Sequence, residues 1–166
     1  GLFVGTAGGR LLALDLPIEE ARSLRDAMHA RGIDTIFLLS PTTSDARLHE
    51  AARLGQGFLY GISRLGVTGT RDTVADGAAV LAGRMRAATS LPIALGFGIS
   101  TPEHVRQIGE VADAAVVGSG LVGVIAEAGS GPELIERVES YVRWLKGEPS
   151  QHSHDHRRAP TADRST

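Results

Sequence analysis

The chain has 166 residues, 42% hydrophobic and 4% aromatic, with 21 glycines. That length supports one domain with its own core, and the composition suits an α/β protein of aliphatic strands and tight turns. A formal charge of -2 excludes the basic surface a nucleic-acid partner would need, and the lack of cysteine excludes disulfides and thiolate metal sites. No apolar run approaches the roughly 18–20 residues of a membrane span, so the chain reads as a cytoplasmic domain with no membrane partner.

In chain order, "GLFVGTAGG" at 1–9 reads as neither a helix nor a complete strand. Short apolar runs follow at 11–14 (LLAL), 33–39 (IDTIFLL), 57–62 (GFLYGI), 92–96 (PIALG) and 114–117 (AAVV). They are too brief for helices, continuous rather than alternating, and bounded by Gly, Pro or Ser, as strands of a parallel sheet are. Helix-length amphipathic stretches separate them. The one at 18–31 carries acids in its first turn and basic residues near its end, matching the helix dipole. Ser100 and Glu103 have capping-box spacing around Pro102, and Ser130, Pro132 and Glu133 repeat that signature before a last helix at about 132–146. Strand-helix alternation predicts a parallel sheet in a domain over 1–147. From 148 to 166 the chain is polar throughout and reads as a disordered tail, with His152, His154 and His156 solvated rather than bound to metal.

Glycines cluster where strands give way to helices: Gly66 and Gly69 around Thr68, Gly96 to Ser100, and Gly118-Ser119-Gly120. In a parallel sheet these positions share one face, where glycine lets backbone N–H groups approach an anion and helix N-termini favour it. In (β/α)8 barrels a phosphate site is commonly built from the loops after strands 7 and 8 with a short extra helix. The stretch 119–128 supplies such a helix.

The blocks "LDLPIEEA" (14–21), "FLYGISRLGVTGTR" (58–71), "PIALGFGIST" (92–101) and "AAVVGSGLV" (114–122) resemble consecutive strand-loop segments of the tryptophan synthase alpha subunit, in order and spacing from about Gly9 to Lys146. The resemblance implies a partial (β/α)8 barrel comprising about the fourth to eighth strands with their helices and the extra phosphate-site helix. It implies cleavage of indole-3-glycerol phosphate to indole and glyceraldehyde 3-phosphate, with a beta subunit as partner. No cofactor is expected in this chain; pyridoxal phosphate belongs to the beta subunit, which receives the indole. By the same resemblance Gly69, Gly98, Gly118 and Ser119 hold the substrate phosphate, and Tyr60 and Phe97 line the indole pocket. Thr68 gates the site by closing over it, while Asp15 and Gly66 serve loop positioning and communication with the partner.

The family's chemistry also needs a glutamate on the second strand and an aspartate in a "DPxADGP" loop, because general acid–base catalysis requires positioned groups. The chain carries no such block. Ala75-Asp76-Gly77 resembles its core but is expected at the start of a helix, as a cap and turn without a catalytic role. A full barrel takes about 250 residues, so the chain is expected to be the C-terminal portion of an alpha subunit, inactive alone, with the strands at 11–14 and 114–117 as open edges. The alternative is a non-catalytic half-barrel that binds a phosphate ligand or a partner. Indole-3-glycerol phosphate synthase, another phosphate-binding barrel, would require a catalytic lysine in a strand, and the single lysine is Lys146, in the last helix.

Overall fold

The structure, a computed structural model, describes residues 3–5, 9–13, 17–62, 73–96 and 98–148. Asp15, Gly66, Thr68, Gly69, Phe97 and the tail from 149 lie outside the described residues.

Six strands form one sheet in the order of the chain: β1 (Phe3–Gly5), β2 (Arg10–Ala13), β3 (Asp34–Leu39), β4 (Leu59–Ile62), β5 (Ile93–Gly96) and β6 (Ala114–Val116). β2 to β6 are parallel, each joined to the next through a helix: α1 (Ala21–His29), α2 (Asp45–Leu54), α3 (Thr73–Ala88) and α4 (Pro102–Gly109). After β6 come α5 (Ser119–Ala128) and α6 (Leu134–Leu145). Consecutive order with no reversal makes successive right-handed crossovers wind in one sense, which sets the helices on one face of the sheet.

The core shows that face. Phe37, Leu39, Leu59, Ile93 and Leu95 from the strands pack with Leu48, Leu54, Leu81, Met85 and Ile108 from the helices in one buried cluster. Gly61 belongs to the same side, where it brings β4 close to Leu95, Met85 and Leu81. Strand side chains alternate, so Leu38, Tyr60, Ile62, Ala94, Gly96 and Val116 lie on the opposite face. Across it Leu38 is paired with Tyr60, Tyr60 with Ala94, and Gly96 with Val116. This second face is apolar and largely half-buried, which is why the strands read as continuous apolar runs.

The structure corrects several sequence expectations. Residues 3–5 form β1, antiparallel to β2, with Phe3 opposite Leu12 and Gly5 opposite Arg10. The β2 edge is therefore covered within the chain rather than open. Gly9, at φ 66, takes a backbone conformation open to glycine before β2, and its carbonyl accepts from Asp34 N–H at 2.7 Å. The helix expected at 18–31 is divided. Pro17 leads into a 3-10 turn at Ile18–Glu20, and α1 begins only at Ala21, so Glu19 and Glu20 sit in the turn rather than in α1. The cap of α4 is Thr101, not Ser100: the Thr101 hydroxyl accepts from His104 N–H at 3.2 Å, with Pro102 opening the helix. The last helix starts at Leu134 behind Glu133, with no side-chain cap, so Ser130 does not cap it. The strand expected at 57–62 begins at Leu59 because Gly57 turns the chain at φ 75. Ala75, Asp76 and Gly77 fall in the first turns of α3, which begins at Thr73, so they lie inside the helix rather than forming its cap and turn.

Candidate functional site

Parallel strands bring the ends of their following loops to one edge of the sheet. Gly96 of β5 is paired with Val116 of β6, and Gly98 and Gly118 each follow two residues later, on adjacent loops. Gly98 has φ 73, a conformation that side chains rarely adopt and that aims its peptide groups differently from an ordinary turn. Gly118 is the N-cap of α5, with φ -112 and ψ -81 and no capping side chain. The first N–H groups of α5 therefore have no side-chain acceptor at the cap, and the positive end of the helix dipole lies at Ser119. Gly98, Gly118 and Ser119 are all exposed. Two adjacent loops, one with a left-handed glycine and one opening a ten-residue helix, can offer backbone N–H groups to a shared anion.

Tyr60 approaches the same edge from the inner face. Its ring crosses β5 at Gly96, where an added Cβ would lie 2.5 Å from the phenolic oxygen and 2.9 Å from the ring edge. Gly96 is thus the seat of Tyr60, a role the sequence does not display. Partial burial pushes the Tyr60 hydroxyl's pKa up, so it stays a neutral donor and acceptor at physiological pH. The half-buried ring, near Val116 across Gly96, offers an apolar surface to a planar ligand.

The structure thus brings Tyr60, Gly98, Gly118 and Ser119 to one end of the sheet. It does not describe Asp15, Gly66, Thr68, Gly69 or Phe97. Sequence reasoning missed the groups around Ser100. Its N–H donates to His104 Nδ1 at 3.4 Å, and its carbonyl accepts from the Tyr141 hydroxyl at 3.3 Å. Residues 100 and 141 are linked only by tertiary folding, so no local pattern could have paired them. Among the described residues no helix is long and apolar enough to cross a membrane.

The family model for the tryptophan synthase alpha chain matches residues 5–148. The tryptophan synthase alpha chain of Solibacter usitatus is 45% identical over 135 residues, covering 81% of this chain and 51% of that protein. That of Phenylobacterium zucineum is 49% identical over 141 residues, covering 82% and 51%. A structure of the tryptophan synthase α2β2 complex from Pyrococcus furiosus superposes with a TM-score of 0.70 at 36% identity, over 82% of this chain and 55% of the matched chain. The chain thus spans about half the length of the relatives it matches, and its parallel sheet with helices is the corresponding part of a (β/α)8 barrel. The chain belongs to the tryptophan synthase alpha chain family.

Proposed function

We propose that these residues form the phosphate- and indole-binding half of a tryptophan synthase alpha subunit, acting in cleavage of indole-3-glycerol phosphate to indole and glyceraldehyde 3-phosphate during tryptophan biosynthesis. The observation that carries this reading is the placement of Gly98, at φ 73, and of the uncapped α5 N-terminus on the loops that follow the paired strands β5 and β6. The substrate phosphate binds the N–H groups of Gly98, Gly118 and Ser119 and the Ser119 hydroxyl, with Gly69 completing the cradle. The indole ring lies against Tyr60 and Phe97. Thr68 closes over the bound substrate, while Asp15 and Gly66 transmit the state of the site to a beta subunit.

Cleavage breaks the bond between indole C3 and the glycerol phosphate side chain. C3 gains a proton as the indole nitrogen gives one up; the side-chain hydroxyl then loses its proton and becomes the aldehyde, while the electron pair of the broken bond returns to the ring and the nitrogen is reprotonated. We assign those proton transfers to two carboxylates outside these 166 residues, so this polypeptide alone binds without turning over. The cleavage itself needs no cofactor from this chain; the pyridoxal phosphate of the beta subunit serves the later step that consumes indole.

The test is calorimetric titration with a non-cleavable indolylglycerol phosphate analogue. The wild-type chain is expected to bind it. Gly98→Asp is expected to weaken binding by at least about tenfold, because it sets a carboxylate against the anion at a backbone position unfavourable to side chains. Equal affinity in both proteins would place the phosphate elsewhere.

A further inference from the structure

We infer that Tyr141, with His104, is a positioning residue that clamps the loop after β5 to the first turn of α5 and so sets the spacing of the two halves of the anion cradle. This rests on the phosphate reading above. Ser100 lies two residues beyond Gly98, and both its backbone polar groups are held by side chains. His104 of α4 accepts from its N–H at 3.4 Å, and Tyr141 of α6 donates to its carbonyl at 3.3 Å. The Tyr141 hydroxyl also packs directly on Gly120, the second residue of α5, where any Cβ would overlap it; that same position lies 3.5 Å from Ser100 Cβ. Three segments therefore meet at one phenolic oxygen: the Gly98 loop, the α5 N-terminus and α6.

The ring of Tyr141 has its own support, independent of the hydroxyl. It is half-buried, shares an apolar cavity with Val117, Leu121 and Leu145, and stands 5.7 Å from the Trp144 ring centre. The hydroxyl is the part of the side chain that bonds to the Gly98 loop, through the Ser100 carbonyl. Its work is preorganisation: an anion bridging Gly98 and Ser119 binds more tightly when the two loops need not be brought together on binding. The hydrogen bond is long and exposed, so its loss is expected to weaken binding by about three- to tenfold rather than abolish it.

The experiment titrates inorganic phosphate into the isotope-labelled 166-residue chain and follows the amide signals of Gly98, Ser119 and Gly120 by NMR. Wild type is expected to show saturable shifts at all three. Tyr141→Phe is expected to bind about three- to tenfold more weakly while its melting temperature stays within a few degrees, which a purely structural role would not produce. Should Tyr141→Phe fail to fold, Gly120→Ala serves instead, since its Cβ drives the hydroxyl, with the ring that carries it, away from Ser100; the same loss is expected. Phosphate affinity equal to wild type in the folded variant overturns the clamp and leaves the proposed function standing. Absence of shifts at these amides in wild type overturns the phosphate reading, and the clamp with it.

Discussion

Gly61 and Gly96 are on neighbouring strands, and each is a glycine for a different reason. On the core side of β4, an added Cβ at Gly61 would lie 2.5 Å from Leu95 Cδ2 and 3.0 Å from Met85 Sδ. Gly61→Val is expected to destabilise the fold by about 1–3 kcal/mol through overpacking, read as a lower urea midpoint at unchanged slope. An unchanged midpoint would show that Leu95 and Met85 give way freely. Gly96 instead makes room for Tyr60 on the opposite face, so its replacement acts on the Tyr60 ring before it acts on the core. Charges at the residue scale behave differently again, because they lie in solvent. The guanidinium of Arg53, with Arg22 adding to it, holds the Glu50 carboxyl at about 2, and Arg106 with Gln107 does the same for Glu103. Both folded pKa values lie below the ordinary 4.5, so the unfolded chain takes up protons first as pH falls. Their stabilising contribution is complete above about pH 4.5 and is lost as pH drops towards 2. It is small and screened by salt. The Glu50→Gln, Glu103→Gln double variant is expected to flatten the fall in melting temperature across that window. Parallel profiles for variant and wild type would remove these pairs from the acid transition.

At the scale of elements, α4 shows how local chemistry fixes a boundary. Ser100 and Thr101 are both plausible caps by residue type, and the fold uses Thr101, because Ser100 has its backbone engaged by His104 and Tyr141. Thr101→Ala is expected to cost about 1 kcal/mol of stability, the usual value of a cap, measured by chemical denaturation. A loss as large from removing the Ser100 hydroxyl instead would reverse the assignment. The five parallel strands were legible because both their faces are apolar, and Gly98, Gly118 and Ser119 because glycine clusters mark the exits of such strands. Less legible was β1, a three-residue strand whose pairing with β2 is settled by tertiary contact rather than by its own pattern. The turn at Ile18–Glu20 and α1 share one continuous amphipathic stretch after Pro17, so they read as a single helix, and only the backbone geometry divides them. The role of Tyr141 was hidden for the opposite reason. On α6 it reads as one more amphipathic position, and only the fold carries its hydroxyl back to Ser100.

For the molecule as a whole, the parallel strands end uncovered at β6. Among the described residues β6 pairs only with β5, while at the other end β2 is covered by the three-residue antiparallel β1, itself an edge. Near β6, α5 is strongly apolar yet contributes no buried residue, leaving Val122 63% and Ile125 42% exposed. The inner sheet face, with Leu38, Tyr60, Ile62 and Val116, is only half-covered. A closed barrel has no strand edge, whereas an open one presents unpaired backbone groups that recruit other chains. The 166-residue polypeptide is therefore expected to self-associate, and to shift to a defined complex when the other half of an alpha chain is supplied separately. That half should dock first at β6, because at β2 it would have to displace β1. Indole release should follow the same logic. Each positioned acid or base typically contributes about 10²–10⁴-fold, so the polypeptide alone should release no measurable indole, and the reconstituted pair should regain activity. Light scattering after size exclusion and an indole assay, each with and without the second half, provide the check. A stable lone monomer would show that the β6 end needs no partner. Indole release at a full alpha-subunit rate by the polypeptide alone would show that its own residues supply the proton transfers.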